Sequence, residues 1–539
     1  MAKYIFVVGG VMSSVGKGVA AASVSKIIQS KGHKVANIKC DMYVNIDAGT
    51  IRPAEHGEVF VGEDGVEADQ DLGNYERYTD ETCTMDNYIT TGQVYQEVIR
   101  KERNLEYEGE DVEVVPDIPN EIIRRIKACQ SKNEADVVVV EFGGTVGEYQ
   151  LLLFLEAARM MKARDPEDVA FIMVSYLPTP SLLGEQKSKP TQYAIRTLNS
   201  AGIQPDFIMC RADLPVSESI KNTISTVCSL SKDRIISAPD VNSIYDVPVN
   251  FEKENLGEKL LKILNLEAKK TNMEDWVELS TKIKTLTDEV TIGVVGKYFN
   301  FKSCRDTYIS VLEAINHATW LNNKKVNILW LDSEKYEEDP SKLKELDEVD
   351  GIVVPGGFGS RGVEGIIASI KYARENDIPF LGLCYGLQLA TIEFARNVCG
   401  IAGATSTEID ENAEHQVIHV MADQIEKIKK KDYGATMRLG AYPCVLDEKS
   451  KSFKAYGSKD ISERHRHRYE VNNDYRGQFE KSGLLIAGTS PDKSLVEIIE
   501  LPNHPFFVAT QFHPEFKSRP ITGHPLFNEF IKASIARKK

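Results

Sequence analysis

The sequence lacks three features that would each assign it to a different class of protein. Its 539 residues include nine cysteines, an odd number, without any Cys-x-x-Cys pair. This argues against a disulfide framework and favours a reduced, cytoplasmic compartment. Apolar runs are too short to span a bilayer, and glycines interrupt the apolar stretch at the N-terminus, so neither a membrane protein nor a signal peptide is expected. The formal net charge of −15 argues against general nucleic-acid binding and requires local basic pockets for anionic substrates.

The chain does contain a long alternation of short β-rich apolar runs and helical stretches. Runs such as 136–142 and 169–177 show no polar alternation, which is typical of parallel strands buried on both faces. The length exceeds what one core supports, and the charged stretch 267–289 has no strand pattern. We therefore predict an α/β chain with two doubly wound parallel-sheet domains, residues 1–266 and 290–539, joined by a helix-containing linker at 267–289.

A candidate nucleophile lies in the second half of the chain. Cys384 stands in Gly-Leu-Cys-Tyr-Gly between a strand pattern and a helix pattern, which is the thiol version of the nucleophile elbow. His513 and Glu515 follow another apolar strand pattern and supply a base and its orienting partner. The backbone N–H groups of Tyr385 and of Gly357 are candidates for holding an oxyanion. A lone buried cysteine is usually a small hydrophobe, but three matching pieces favour catalysis.

A candidate nucleotide site opens the chain. Residues 7–23, VVGGVMSSVGKGVAAAS, read as strand, glycine-rich turn and helix, an arrangement that directs backbone N–H groups at an anion. Lys17 lies where a phosphate-binding lysine is expected, but Gly18 replaces the Ser or Thr that contacts magnesium in an ordinary P-loop. Carboxylates must therefore hold the metal. The candidates are Asp71 and Glu141, the latter at the end of a buried strand, where acids face the ligand crevice.

Longer motifs point to known families. The second half resembles the class I, triad-type glutamine amidotransferases over nearly its whole length. The chain also contains the motifs GGVMSSVGKG, KCDMYVNIDAGT, HGEVFVGEDG, DLGNYERY, GGTVGE, KSKPTQ, MRLGAYPC and RHRHRYEVNN. With these motifs, the sequence resembles the CTP synthase family across the whole chain, and in that family a glycine after the loop lysine is normal. The resemblance implies an N-terminal P-loop-like amidoligase domain that aminates UTP at C4, through a 4-phosphorylated intermediate, with ammonia from glutamine hydrolysis that passes between the domains.

The resemblance also implies the residues of each site. The catalytic set is Cys384 as nucleophile, His513 as base and Glu515 as its partner, and glutamine would be held by Gly357, Tyr385, Gln388, Glu408 and Arg468. The metal would be Mg²⁺ on Asp71 and Glu141. ATP would meet Ser14, Val15, Gly16, Lys17, Gly18, Val19, Lys39, Asp71, Pro239, Asp240 and Val241. UTP or the product CTP would meet Ser13, Glu148, Tyr149, Gln150, Lys187, Lys189, Gln192 and Lys221.

The same resemblance implies regulation and assembly. GTP would activate the glutaminase step, with the loop around Arg361 as a candidate contact. The chain would form a homotetramer whose interfaces complete the nucleotide sites, with filaments as a further form.

Several positions depart from the family pattern. Residues 148–151 read Glu-Tyr-Gln-Leu where the family usually has Asp-Ile/Val-Glu-Ser. Thr223 replaces an expected lysine, and Lys221 lies two positions earlier; Asp117 and Tyr193 each replace a common histidine. We predict that amination is kept and that feedback by CTP is altered. The alternatives are a related amidoligase with another acceptor, a polymerising or regulatory paralogue without activity, and a glutaminase-dead enzyme. The intact candidate residues argue against the last two.

Overall fold

The structure is a computed structural model, and it describes residues 2–180, 184–297, 304–421, 424 and 434–538. Internal contacts group the chain into two compact units. The first comprises Met1–Asp47 and Asp71–Thr281, and the second comprises Ala48–Gln70 and Lys282–Lys539. The segment 48–70 therefore groups with the second unit, although its sequence lies in the first half. The boundaries 1–266, 267–289 and 290–539 stay a prediction.

The strands and helices alternate along most of the chain. The strands are β1 (Lys3–Gly10), β2 (Val35–Asp41), β3 (Val59–Val61), β4 (Glu67–Asp69), β5 (Tyr88–Thr90), β6 (Val137–Phe142), β7 (Val169–Tyr176), β8 (Phe207–Ala212), β9 (Ile235–Pro239), β10 (Glu289–Gly296), β11 (Lys325–Asp332), β12 (Gly351–Val354), β13 (Phe380–Leu383), β14 (Thr405–Ser406), β15 (Gln416–Val420), β16 (Arg438–Leu446), β17 (Asp460–His467), β18 (Tyr469–Val471), β19 (Leu485–Thr489), β20 (Val496–Glu500) and β21 (Phe507–Thr510).

The helices cover the sheets and connect the strands. They are α1 (Lys17–Ser30), α2 (Pro53–His56), α3 (Asp71–Thr79), α4 (Thr91–Arg103), α5 (Val114–Asn133), α6 (Leu152–Arg164), α7 (Lys189–Ser200), α8 (Glu218–Cys228), α9 (Val247–Lys253), α10 (Leu256–Ile263), α11 (Glu274–Thr285), α12 (Cys304–Thr307), α13 (Ile309–Leu321), α14 (Ser333–Glu338), α15 (Val363–Glu375), α16 (Tyr385–Asn397), α17 (Lys451–Tyr456), α18 (Asn473–Lys481) and α19 (Pro525–Arg537). Within the described ranges, none of them combines the length and apolar character needed to cross a membrane.

The first unit is built on a seven-stranded sheet in the order β5-β2-β6-β1-β7-β8-β9, and every pairing in it is parallel. Strands β1, β2 and β6 are buried along their whole length, as the continuous apolar runs predict for strands with helices on both faces. Because their carboxyl ends lie at one edge of the sheet, the glycine-rich turn and Glu141 meet there.

The second unit is built on a nine-stranded sheet in the order β11-β10-β12-β13-β21-β20-β19-β16-β17. The pairings from β11 to β21 are parallel, and β20, β19, β16 and β17 extend the sheet by antiparallel pairings. Leu383 at the end of β13 pairs with Thr510 at the end of β21. The predicted two-domain α/β class is confirmed, and this pairing brings the segments after β13 and β21 together.

Candidate active sites

Cys384 occupies a strained turn between β13 and α16. Its backbone has φ 50° and ψ −94°, a positive φ that is rare for a residue with a side chain and is typical of a nucleophile elbow. The two glycines of the motif are required by close contacts. A Cβ on Gly386 would lie 2.4 Å from the carbonyl oxygen of Val354, and one on Gly382 would lie 2.9 Å from Cβ of Ala509.

His513 and Glu515 form a buried pair after β21. The His513 Nδ1 and Glu515 Oε1 atoms are 2.7 Å apart, which fixes the orientation of the imidazole ring. Burial alone would lower the pKa of His513, but the Glu515 carboxylate and the Cys384 sulfur raise it to about 10. Among the described residues, no hydrogen-bond partner faces His513 Nε2, so this nitrogen is the one available for proton transfer.

The thiol is surrounded by groups that the sequence motif does not contain. Gln511 Nε2 lies 3.6 Å from Cys384 Sγ, and the sulfur lies 3.7 Å from the carbonyl oxygen of Arg466 in β17. The neighbouring carbonyl of Arg464 accepts the backbone N–H of His513 at 2.8 Å. Strand β17 therefore contacts both candidate catalytic residues. No motif in the sequence marks Gln511, because its contact is with Cys384, 127 positions away.

The loop after β12 lies beside these residues. A Cβ on Gly356 would be 2.7 Å from Cε1 of His513, and one on Gly357 would be 3.3 Å from the Tyr385 ring. Glu408 accepts the backbone N–H of Gly359 at 2.8 Å. The structure therefore brings Gly357, Tyr385 and Glu408 to one loop, as expected for residues of a single pocket.

The other two residues predicted to bind the substrate glutamine, Gln388 and Arg468, make polar contacts with other parts of the chain. Gln388 Nε2 donates to the carbonyl oxygen of Tyr469 at 3.1 Å. Arg468 donates to Gln424 Oε1 at 2.8 Å and to Thr436 Oγ1 at 2.9 Å.

A buried polar cluster lies on the face of β17 opposite to Arg464 and Arg466, and sequence reasoning missed it. His465 Nδ1 and His467 Nε2 are 3.1 Å apart, and Arg438 donates to Glu497 Oε1 at 2.7 Å. Burial and the nearby Arg438 guanidinium lower the pKa of His467 to about 3. Both imidazoles are therefore neutral at physiological pH. The alternating basic residues of RHRHR would ordinarily indicate a solvated strand, but here they belong to the core.

In the first unit, Asp71 occupies the space that a P-loop hydroxyl would fill. A Cβ on Gly18 would lie 1.8 Å from Asp71 Oδ1, so residue 18 must lack a side chain for Asp71 to reach the loop. Lys39 Nζ lies 2.5 Å from Asp71 Oδ2 and 3.0 Å from Glu141 Oε1. The two carboxylates therefore converge on one cation. Lys17 Nζ donates to the carbonyl oxygen of Gly144 at 2.9 Å.

The electrostatics of this cluster suit a multivalent cation and phosphates. Burial lowers the pKa of Lys17, and burial together with the Asp71 charge raises the pKa of Glu141. Hard carboxylate oxygens are the ligands that Mg²⁺ prefers, usually one or two with phosphates completing its shell. Over the described ranges, no group of three or more His, Cys, Asp or Glu side chains is arranged to hold a metal. Asp71 and Glu141 could supply one or two such oxygens, and the remaining ligands of a Mg²⁺ ion would have to come from phosphates or water.

The remaining ATP candidates lie around the same loop. Gly16 has a positive φ of 87°, and Arg211 Nε would be 3.7 Å from a Cβ there. Arg211 in turn binds Asp240 Oδ1 at 2.7 Å, so the segment 239–241 lies near the loop. Arg211 was not predicted; it lies within β8 without a motif.

The candidate UTP residues lie on separate segments. Ser13 is exposed in the glycine-rich turn, Lys189 is the first residue of α7, and Lys187 lies two residues before it. Gln192 Nε2 donates to Ser188 Oγ at 3.0 Å. A Cβ on Gly147 would lie 3.5 Å from Thr197 of α7, so the loop that carries residues 148–150 is adjacent to that helix.

At two of the departures from the family pattern, the structure shows which partners the side chains contact. Lys221 Nζ binds Glu254 Oε2 at 2.8 Å, and Thr223 Oγ1 donates to the carbonyl oxygen of Ser219 at 3.0 Å. Glu148 accepts the backbone N–H of Thr145 at 2.9 Å and the amide of Gln150 at 2.9 Å. Tyr149 is 90% exposed.

One α/β unit carries a strained thiol elbow beside a His–Glu pair, and the other carries a lysine–carboxylate cluster at a glycine-rich turn. Together these features define a two-domain glutamine amidotransferase. Comparison with known families agrees. The family model "CTP synthase N-terminus" matches residues 3–266, and "Glutamine amidotransferase class-I" matches residues 303–533. The chain belongs to the CTP synthase family.

Full-length relatives support this assignment. The chain is 50% identical to the CTP synthase of Methanocaldococcus jannaschii, over 99% of both chains. It is also 50% identical to the CTP synthase of Carboxydothermus hydrogenoformans, over 100% of both chains. Among solved structures, "Trypanosoma brucei CTPS - glutaminase domain with bound acivicin" is 40% identical and covers 46% of this chain and 94% of that chain, with a TM-score of 0.43.

Proposed function

We propose that the chain aminates UTP at C4 to give CTP, with ATP as the phosphoryl donor and glutamine as the source of ammonia. The observation that carries the glutaminase half is the strained Cys384 turn beside the His513–Glu515 pair, with 2.7 Å between His513 Nδ1 and Glu515 Oε1. Family membership over the full length supports the coupling of this half to a nucleotide-activating half.

In the glutaminase step, His513 Nε2 holds the proton shared with Cys384, in keeping with the raised pKa of this imidazole, and the sulfur attacks the side-chain carboxamide carbon of glutamine. The backbone N–H groups of Tyr385 and Gly357 stabilise the oxyanion. His513 returns the proton to the leaving nitrogen, the C–N bond breaks and ammonia departs. Water then attacks the thioester, which releases glutamate and restores the thiol. Glu515 keeps the imidazole oriented and stabilises its charged form.

In the synthetase step, phosphoryl transfer from ATP to the C4 oxygen of UTP turns a poor leaving group into a good one. Lys17 and Lys39 would bind the phosphates, and Asp71 and Glu141 would hold Mg²⁺, which when bound would supply neutralisation of the charge on the transferred group. Ammonia attacks C4 and phosphate leaves. The glycine-rich turn and the segment 239–241 contribute further ATP contacts, and the convergence of Asp71 and Glu141 on one cation supports this assignment.

The pyrimidine nucleotide and glutamine contacts remain part of the proposal. UTP would lie among Ser13, the 148–150 loop, the start of α7 and Lys221, and the proximity of that loop to α7 supports a shared pocket. Glutamine would be held by Gly357, Tyr385, Gln388, Glu408 and Arg468; a guanidinium at position 468 suits the α-carboxylate of glutamine, because it can bind a carboxylate through two hydrogen bonds.

The experiment is incubation with ATP, Mg²⁺, UTP and glutamine, followed by separation of the nucleotides. We expect CTP, ADP, phosphate and glutamate. With Cys384→Ala, glutamine-dependent synthesis should be lost and ammonia-dependent synthesis kept. Loss of both in a folded variant, or a wild-type chain that forms no CTP, would contradict the proposal.

CTP feedback is proposed to differ from the family pattern. Glu148 is turned back onto its own loop by the backbone N–H of Thr145 and by Gln150, and Lys221 is engaged by Glu254. Each side chain would therefore have to leave these contacts before it could bind CTP. We expect weak inhibition of UTP amination by CTP. Ordinary inhibition, competitive with UTP, would contradict this.

Assembly, activation and location complete the proposal. Large apolar side chains are exposed on the first unit, such as Ile99 at 56%, Leu105 at 72% and Tyr193 at 62%, which supports association of copies into a homotetramer. GTP is proposed to activate glutamine hydrolysis, and filaments are a further form to test. Every cysteine whose side chain the structure describes is free, which supports a reducing, cytoplasmic location.

A further inference from the structure

The loop that carries Gly357 is fixed by a lysine that the proposed mechanism does not use. Lys297 follows β10 and is 3% exposed. Its ammonium donates to the carbonyl oxygen of Phe358 and to that of Gly359, the latter at 2.9 Å, and lies 5.1 Å from the centroid of the Tyr385 ring. Burial of a lysine is costly unless its donors are satisfied, and here two consecutive carbonyls accept hydrogen bonds from two of the three N–H donors.

The peptide bond between Phe358 and Gly359 is held from both sides. In a trans peptide the carbonyl and the N–H point in opposite directions. Lys297 binds the Phe358 carbonyl, while the Glu408 carboxylate accepts the Gly359 N–H at 2.8 Å. A positive and a negative group therefore fix one peptide plane. Such charge-assisted hydrogen bonds are stronger than neutral ones.

A third contact fixes the next peptide. The Tyr385 hydroxyl donates to the carbonyl oxygen of Gly359 at 2.6 Å, and Tyr385 is the residue directly after Cys384. Gly359 has a φ of 77°, which is outside the range of regular helices and strands. The conformation of the loop is therefore held by these side-chain contacts. The three groups come from separate elements and meet two residues after Gly357.

We propose that Lys297 is a positioning residue for glutamine hydrolysis: by holding the Phe358–Gly359 peptide against Glu408, it fixes the backbone N–H of Gly357 where the oxyanion forms. This inference rests on the proposed glutaminase function and deepens it. Lys297 does not touch the reacting atoms. Burial also lowers its pKa to about 8, and Glu408, Arg361, Glu334 and Glu337 are the charged groups that act on it.

The test compares Lys297→Met with Lys325→Met, which removes an exposed lysine from β11. Three quantities are measured: kcat and KM for glutamine hydrolysis, the rate at which iodoacetamide alkylates Cys384, and CTP synthesis from ammonia. For Lys297→Met, we expect kcat to fall about 30-fold or more, because an oxyanion donor is misplaced. KM should change less than kcat. Alkylation needs the thiol but no oxyanion site, so its rate should stay within about twofold, as should ammonia-dependent synthesis.

A second variant guards against misfolding. Tyr385→Phe removes one donor to Gly359 and leaves Lys297 in place, so kcat should fall by a smaller factor, about 3- to 10-fold. An unchanged kcat in Lys297→Met would overturn the proposal. So would a parallel loss of alkylation, because this would indicate collapse of the whole site. Failure of the proposed function is distinguishable, because the wild-type chain itself would then release no glutamate.

Discussion

Gly18 and Asp71 are interdependent at the level of single residues. The carboxylate of Asp71 fills the volume of a side chain at position 18, where a Cβ would be 1.8 Å from Asp71 Oδ1. Gly18→Ala should therefore displace Asp71 from Lys39 and lower ammonia-dependent CTP synthesis about 100-fold, with glutamine hydrolysis kept. Gly477→Ala is the matched control, since nothing lies within 4 Å of a Cβ there. Near-normal synthesis by Gly18→Ala would contradict the assignment of Asp71.

His467 is a second residue whose environment makes a prediction. Its pKa is about 3 in the folded protein because of burial and Arg438, against about 6.5 when unfolded. Between these values only the unfolded state binds the proton, so stability is lost as the pH falls below about 6.5. At pH 5 this group should cost about 2 kcal/mol relative to pH 7.

The check on His467 is the thermal midpoint at pH 7 and pH 5. His467→Asn keeps a donor for the carbonyl of Tyr469 but does not titrate, so its midpoint should fall less between the two pH values than that of the wild type. The exposed His56→Asn should behave like the wild type. An equal decline in the wild type and in His467→Asn would show that this imidazole does not control acid stability.

The sequence was most informative where the chemistry is local. The elbow around Cys384 and the pairing of His513 with Glu515 could be predicted because the residues involved are at most two positions apart in the sequence. The glycines that the elbow requires are also visible there. Gln511 and Lys297 could not be, since each acts through contacts with residues more than 60 positions away. Gly18 could be interpreted only in part from the sequence. The missing hydroxyl indicated that a carboxylate takes its role, but only the fold shows that this carboxylate fills the volume of a side chain at position 18.

At the scale of elements, β17 makes contacts in the second unit that its sequence does not indicate. Arg464 is fully buried and donates to the carbonyl oxygen of Val61 at 3.0 Å and to Glu63 Oε1 at 3.3 Å. Its own carbonyl accepts the N–H of His513. The segment 48–70 is therefore linked through one residue to the candidate catalytic base. Alternating charge in a strand could not reveal this, because the partners lie about 400 positions away.

Arg464→Met should loosen this segment. Removing one partner of a buried charged contact costs about 3–5 kcal/mol, somewhat less here because Lys517 also binds Glu63. We expect a lower thermal midpoint and faster hydrogen exchange at the amides of β3 and β4, together with slower glutamine hydrolysis. Arg52→Met, at an exposed position of the same segment, should change none of these. Unaltered exchange in β3 and β4 would show that Arg464 does not hold the segment.

For the whole molecule, the two-domain class followed from periodicity, whereas the grouping of 48–70 with the second unit did not. Strands β3 and β4 pair with each other, and their segment contacts β17 about 400 positions away, so no local pattern assigns them to a domain. The antiparallel extension of the second sheet was missed for a related reason. Strand β17 is rich in polar residues, several of which are buried, whereas a continuous apolar run was the signal from which parallel order was predicted.

The proposed chemistry requires that ammonia reach the amination step before it is protonated by water, because ammonium cannot attack C4. Cys384→Ala keeps the synthetase half and Glu141→Gln keeps the glutaminase half, so the two variants can be mixed at neutral pH with glutamine, ATP, Mg²⁺ and UTP. If ammonia moves within one chain, the mixture should form CTP at less than about one-tenth of the wild-type rate. Added ammonia should restore synthesis through the Cys384→Ala chains, which shows that the synthetase half is intact. If CTP synthesis recovered towards half of the wild-type rate without added ammonia, the nitrogen would travel between chains or through solvent. The two reactions would then not be coupled within one chain.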